Sequence, residues 1–185
     1  MNYINNNVLV FIIAGKSEVG KDTTANIIKE YATKKGLKTI NLQFSKYIKM
    51  YAKEITNWDG TEENKPRKLL QDIGNDIRKY IDKYFFINRI IDDIKVCSHY
   101  YDIVTISDTR LPEELDTISK EFTNSYKIRI IRPGYENNLS INEQNHITEK
   151  ALDNYHKFDY IFINDKTIND LKNKVIKELK NIIKE

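Results

Sequence analysis

Residues 8–24 read Val-Leu-Val-Phe-Ile-Ile-Ala-Gly-Lys-Ser-Glu-Val-Gly-Lys-Asp-Thr-Thr. Two glycines, Gly15 and Gly20, bracket four residues and are followed at once by Lys21. Glycine at both ends permits a tight turn whose backbone N–H groups point inward, a concavity suited to phosphate oxygens. Lys21 adds a mobile positive charge for the outer phosphates, and the helix expected to start here adds the partial positive charge of its N-terminus. Gly15, Lys16, Ser17, Glu18, Val19, Gly20, Lys21, Asp22 and Thr23 are therefore read as a phosphate-cradling loop. The apolar run before it and the helical pattern after it are the context such a loop requires. Asp22 stands where Ser or Thr usually follows the lysine. A carboxylate beside phosphates is favourable with a cation such as Mg²⁺ between them, or as a charge at the helix start. Asp22, Thr23 and Asp108 are the candidate residues for a metal shell.

A second set of groups must hold whatever receives a phosphoryl group. Arginine is the usual clamp, because its planar fork meets phosphate bidentately. The chain has only six arginines against 24 lysines. Arg78 closes a stripe with Gln71 and Gly74 at helical spacings of four and three; a surface pair with Asp82 is the alternative. Gly74 inside a helix costs about 1 kcal/mol relative to alanine, which suggests close approach of a substrate or of another backbone. Asp108 and Arg110 follow a buried strand, at the end where parallel sheets build sites. Asp108 could hold metal or acceptor and Arg110 could grip phosphate. Arg132 ends a later strand and could act from a lid. Arg129, three residues earlier, is expected to meet solvent. His146 and Glu149 lie three apart, but the spacing completes no zinc set. A helix capped by Thr148, with Glu149 in its first turn, explains them better. Trp58, Tyr100 and Tyr101 are read as packing residues.

The elements that position these groups alternate. Strands are expected at Val8–Ala14, Thr39–Phe44, Ile103–Ser107, Lys127–Ile131 and Tyr160–Asn164. Helices are expected at Asp22–Lys34, from an N-cap at Ser45 to about Ile55, from Pro66 to about Ile81, Phe85–Val96, from Pro112, Thr148–Tyr155 and Ile168–Lys184. Leu70, Ile73, Ile77 and Ile81 should bury one side of the third helix, and Leu171, Val175, Leu179 and Ile182 one side of the last. Continuous apolar strands alternating with helices predict an α/β fold: a mainly parallel, five-stranded, doubly wound sheet with helices on both faces. At 185 residues a single domain is expected, with an acceptor-side helical segment at about 45–96 and a lid loop at about 132–147.

A net charge of +3 implies no strong polyanion partner by itself, and no nucleic-acid partner is expected. One cysteine, Cys97, allows no internal disulfide and fits a reducing, cytoplasmic setting. Val8–Ala14 is too short to span a bilayer and lacks the flanks of a signal peptide. No membrane partner is expected, and the chain should act as a monomer or homodimer.

Gly15-x4-Gly20-Lys21-Asp22-Thr23-Thr24-Ala25 resembles the loop of the deoxynucleoside monophosphate kinases of tailed phages, in the nucleoside monophosphate kinase branch of P-loop proteins. Animal-type phosphomevalonate kinases carry a similar Gly-Lys-Asp loop. Further segments resemble the phage-type family in its own order between Phe11 and Asn164: Phe44-Ser45-Lys46, Leu70 through Arg78, Ser107 through Glu114, His146-x-Thr148-Glu149 and Phe158 through Asn164. Phe85-Phe86 stand where the family often has tryptophan. The resemblance implies a P-loop NTPase fold and transfer of the γ-phosphate of ATP, with Mg²⁺, to a nucleoside or deoxynucleoside monophosphate. Lys21, Asp108, Arg110 and Arg132 would serve the transfer, and Ser45, Gln71, Gly74, Arg78 and Arg110 would hold the acceptor. The rival readings are a kinase of the phosphomevalonate or dephospho-coenzyme A type, and a regulatory nucleotide-binding protein without turnover.

Overall fold

A computed structural model of the chain describes residues 7–135, 144 and 146–183. The elements run β1 (Leu9–Ala14), α1 (Lys21–Lys34), β2 (Thr39–Leu42), α2 (Ser45–Thr56), α3 (Arg67–Asp76), a π-helical turn (Ile77–Ile81) and α4 (Phe85–Cys97). They continue with β3 (Ile103–Thr109), α5 (Pro112–Glu121), β4 (Ser125–Ile131), α6 (Ile147–Lys150), β5 (Tyr160–Ile163) and α7 (Ile168–Ile182). The strands form one sheet in the order β2-β3-β1-β4-β5, with every neighbouring pair parallel. All five expected strands are present, and the fold is the α/β class that their spacing implies. Among the described residues no helix is long and apolar enough to cross a membrane. The lid expected at 132–147 falls largely outside the described residues.

β1 is central, and its alternating side chains explain the two-sided core. Val10, Ile12 and Ala14 face a cluster with Phe86, Ile90 and Ile94 of α4 and Leu115 and Ile118 of α5. Phe11 and Ile13 face Ala25, Ile28 and Ala32 of α1 and Leu171, Val175 and Leu179 of α7. The period of two along a strand sends successive residues to opposite faces, so a strand covered on both sides must be apolar throughout. The β1–β3 register shifts between Ile12 and Ala14, where the chain leaves the sheet for the phosphate loop.

Several expected boundaries move for identifiable reasons. β2 stops at Leu42, two residues before the expected Phe44. Phe44 already has helical dihedrals and occupies the N-cap of α2, so Ser45 is the first helical residue and not the cap. The third helix is not continuous: α3 ends at Asp76 and widens into the π turn, and Pro66 precedes it at the N-cap. Its apolar stripe is only half-buried: Leu70, Ile73 and Ile77 are partly covered, with Ile77 against the core, and the helix packs on α2. Gly74 is its one buried residue, and Ile81 is 69% exposed. The short helix α6 begins at Ile147 and is capped by His146, whose Nδ1 accepts the Thr148 N–H; Thr148 is not the cap.

Gly15 makes the turn off β1 at φ +151°, and a Cβ there would lie 2.6 Å from the Ile130 carbonyl oxygen of β4. That oxygen belongs to the sheet backbone, so neither partner can withdraw. Gly15→Ala should cost on the order of 1–3 kcal/mol, the range for a residue forced into a sparsely populated backbone region. A lowered urea midpoint is expected; an unchanged midpoint would show that the turn tolerates a side chain.

Candidate functional site

At the carboxyl ends of β1, β2 and β3 the surface opens into a cleft of about 510 Å³. Ser17, Glu18, Lys21 and Asp22 of the phosphate loop line one wall. Leu70, Gln71, Gly74 and Asn75 of α3, followed by Arg78, line the opposite wall. Gln43, Phe44, Ser45, Ser107, Asp108 and Arg110 come from the strand ends, and His146, Thr148 and Glu149 from α6 and its cap. Six Lys or Arg and six Asp or Glu side chains take part, so the cleft's attraction for anions depends on how each carboxylate is held and not on net charge.

The phosphate loop is held by its backbone. Gly20 caps α1 at φ +108°, and a Cβ there would lie 2.9 Å from Nδ2 of Asn164. That amide in turn donates to the Val19 carbonyl at 2.9 Å, tying the loop to the end of β5. Glu18 adopts φ +61°, uncommon for a residue with a side chain. Lys21 is 7% exposed and its Nζ donates to the Lys16 carbonyl at 2.5 Å. Burial, and then the neighbouring Arg110, push the Lys21 pKa down to about 7, while Glu149, Asp108 and Asp22 pull it back. An arriving polyanion would restore the ammonium charge. Asp22 is oriented from β3 and β2: its Oδ1 accepts the Ser107 hydroxyl at 2.6 Å and the Gln43 amide at 3.3 Å.

Across the cleft, Arg78 lies on the π turn. One guanidinium nitrogen donates to the Gly74 carbonyl at 3.0 Å, the other lies 3.6 Å from Glu114, and the group stacks 5.0 Å from the Phe86 ring centre. The expected alternative partner, Asp82, instead receives N–H donors from Tyr84 and Asn88. A Cβ on Gly74 would lie 3.1 Å from Nη1 of Arg78 and 3.2 Å from Cδ1 of Ile48. The glycine therefore serves close approach of α2 and of the arginine. Asp108 points at the start of α2, where its two oxygens accept the Phe44 and Ser45 N–H groups at 2.9 Å each. Arg110 pairs with Glu149.

The fold thus brings Lys21, Asp22, Ser45, Gln71, Gly74, Arg78, Asp108 and Arg110 to one cleft. Thr23 is not among the lining residues, and neither is Arg132, which is exposed and stacks on Tyr135 at 3.9 Å. Arg129 meets solvent only in part: the chain returning from α6 covers much of it, with Asp153 at 3.7 Å and the Phe158 ring at 5.5 Å. Trp58 packs as expected, its indole N–H on the Thr61 carbonyl. Among the polar lining groups, Gln43, Asn75, Ser107 and Glu114 were not expected as site residues, and Glu149 was expected only as an acid in a helix first turn. Glu114 had a signal, since the residue three positions after a helix N-cap commonly reaches back to free N–H groups.

Glu114 is 2% exposed, and its Oε2 accepts the Arg110 and Leu111 N–H groups at 2.8 and 3.0 Å. Burial pushes its pKa up to about 7, against the pull of those N–H donors and Arg78. A carboxyl whose folded pKa is raised contributes stability below its unfolded value of about 4.5 and loses it as pH rises through about 7. Urea unfolding of wild type and Glu114→Gln from pH 5 to 8 should show the wild type losing stability relative to the variant. A pH-independent difference would mean that the carboxyl titrates normally.

Comparison with known proteins places this geometry in a family. The family model for deoxynucleotide monophosphate kinase matches residues 31–175. A protein of Acanthamoeba polyphaga mimivirus named "Putative deoxynucleotide monophosphate kinase" is 28% identical, covering 91% of this chain and 94% of its own. Among solved structures, the APS kinase of Mycobacterium tuberculosis in complex with AMPPNP and APS aligns over 94% of this chain and 98% of its own, with a TM-score of 0.57 and 11% identity. Dephospho-CoA kinase from Campylobacter jejuni aligns over 94% and 96%, with a TM-score of 0.52 and 16% identity. At such identities the structural matches establish a shared P-loop kinase fold. With the loop, the cleft and the family model in agreement, the chain is a phosphotransferase and belongs to the deoxynucleotide monophosphate kinase family.

Proposed function

We propose that this protein transfers the γ-phosphate of ATP to a deoxynucleoside monophosphate. The observation that carries this reading is the placement of Arg78 and Arg110 in the same cleft as the phosphate loop. A donor triphosphate would lie on the loop N–H groups and Lys21. The acceptor would lie against α3, with Gln71 and Asn75 beside its nucleoside and Arg78 on its phosphate. Arg110 would meet the phosphoryl group in transit. Transfer of this kind needs positioning and charge neutralisation and no covalent nucleophile, since an acceptor phosphate oxygen attacks directly.

Mg²⁺ fits this donor set. Asp22 offers a carboxylate held by Ser107 and Gln43 beside the loop lysine, and hard cations take oxygen ligands. Bound there, the ion would neutralise phosphate charge. Asp108, with both oxygens on α2 N–H groups, is assigned instead to fixing the acceptor-side helices against β3.

Four measurements test the reading. Lys21→Ala should abolish turnover and weaken ATP binding in a folded protein; retained affinity and rate would remove the loop from the mechanism. Asp22→Asn should raise the Mg²⁺ concentration needed for half-maximal activity, whereas a fall in thermal stability alone would leave only a helix-start role. Arg78→Lys keeps the charge and loses the fork. At about 1.5–3 kcal/mol for hydrogen bonds to a charged group, acceptor KM should rise roughly ten- to a hundredfold with ATP affinity unchanged. Finally, ADP release should be stimulated by deoxynucleoside monophosphates in a panel of phosphorylated acceptors. No stimulation by any monophosphate would defeat the proposal, and stimulation by another acceptor would change the substrate class.

A further inference from the structure

Glu149 joins two parts of the cleft that lie far apart in sequence. Its Oε2 accepts the Ser17 N–H of the phosphate loop at 2.9 Å, and its Oε1 pairs with Nη1 of Arg110. The residue is 8% exposed. A carboxylate so buried is costly unless it is paired and hydrogen-bonded, and here each oxygen has a partner. The attachment is reinforced just beyond α6. Asp153, in the turn that follows α6, lies 3.1 Å from Lys16 and 3.7 Å from Arg129. Withdrawing Glu149 from the cleft would disturb those pairs too. Arg110 itself is held twice: by its main-chain N–H on Glu114 at 2.8 Å and by its guanidinium on Glu149. Because the guanidinium is planar, anchoring one terminal nitrogen restricts the orientation of the whole fork.

We propose that Glu149 is a positioning residue for phosphoryl transfer, fixing the Arg110 fork against the phosphate loop by bridging it to the Ser17 N–H. The inference rests on the kinase reading above, and one arm of its test does not need that reading. Only six arginines are present, so ¹⁵N-arginine NMR can follow Arg110, assigned by its loss in Arg110→Lys. In the wild type the Arg110 Nη–H signals should be resolved. In Glu149→Gln, which keeps an acceptor for Ser17 but loses the charge, they should broaden, with proton exchange at least about tenfold faster. Arg110 signals that do not change would overturn the bridge, whether or not the enzyme turns over.

The kinetic arm uses the same proteins. A small misplacement of a positioned group can cost about a hundredfold, so Glu149→Gln should lower kcat by roughly 10–100-fold while the ATP Kd moves less than about threefold. In an Arg110→Ala background the further change Glu149→Gln should have little effect, because a residue acting through Arg110 has nothing left to position. Glu149→Asp should recover part of the rate, and it carries the same readouts should the glutamine variant fail to fold. Tighter ATP binding with unchanged kcat would show the carboxylate to be only a filler of the empty site. Independent, multiplicative losses would show that it acts elsewhere than through Arg110. Absence of transfer in the wild type would defeat the kinase reading, and the NMR arm would still decide the bridge.

Discussion

A site for phosphates must hold cations close together before any phosphate arrives, and that repulsion shapes the rest of this structure. Lys21 is buried with Arg110 nearby, and burial first, then that neighbouring cation, push its pKa down. Carboxylates that merely floated in the cleft would relieve the repulsion but repel the ligand. Here they are tethered instead to main-chain N–H groups. Asp108 is held by the start of α2, Glu114 by the start of α5 and Glu149 by the phosphate loop. The latter two also face an arginine. Each acid thereby ties a secondary-structure element to the site, so the architecture and the electrostatics of the cleft are one arrangement.

The two walls of the cleft differ in how they are supported. The phosphate loop grows from β1, whose residues Val10 through Ala14 are fully buried, and it is tied laterally to β4 and β5. The opposite wall rests on α3, which buries only Gly74, and on the π turn that carries Arg78. Regions with few buried apolar contacts open at lower free energy than a core sheet. A rigid loop wall and a more yielding wall opposite suit a reaction in which a second substrate must enter and be enclosed.

The sheet was legible in the sequence because its signal is local and redundant. Val8–Ala14 and Ile103–Ser107 are continuous apolar runs that suit buried strands, Tyr160–Asn164 is a shorter run that forms the half-covered edge strand, and the glycines around Ser17 mark the turn that follows the first. The arginines Arg78 and Arg110 were legible from position, one on a helix stripe and one at a strand end. Other features were not, since they depend on tertiary packing. The π turn after Asp76 leaves no trace in an i, i+3, i+4 pattern that looks helical throughout. Leu70 and Ile81 match a buried stripe, but the helix packs on α2, which leaves Leu70 half-buried and Ile81 exposed. Asp108 reads as a strand-end acid, and its hold on the Phe44 and Ser45 N–H groups appears only once α2 is in place. Glu149 looks like a helix-start acid, and its bridge spans 132 and 39 residues to its two partners.

The sheet's strand lengths carry a consequence for the molecule's life before it is folded. The outermost strands, β2 and β5, have four residues each, whereas the three inner strands have six or seven. An exposed sheet edge is a template onto which another chain can add. The apolar inner strands, if left open in a partly assembled chain, would be efficient seeds for aggregation. Placing short segments last on both flanks limits how far a foreign strand could extend in register. The ends of this sheet therefore act as guards on self-association, a duty separate from the chemistry at its centre.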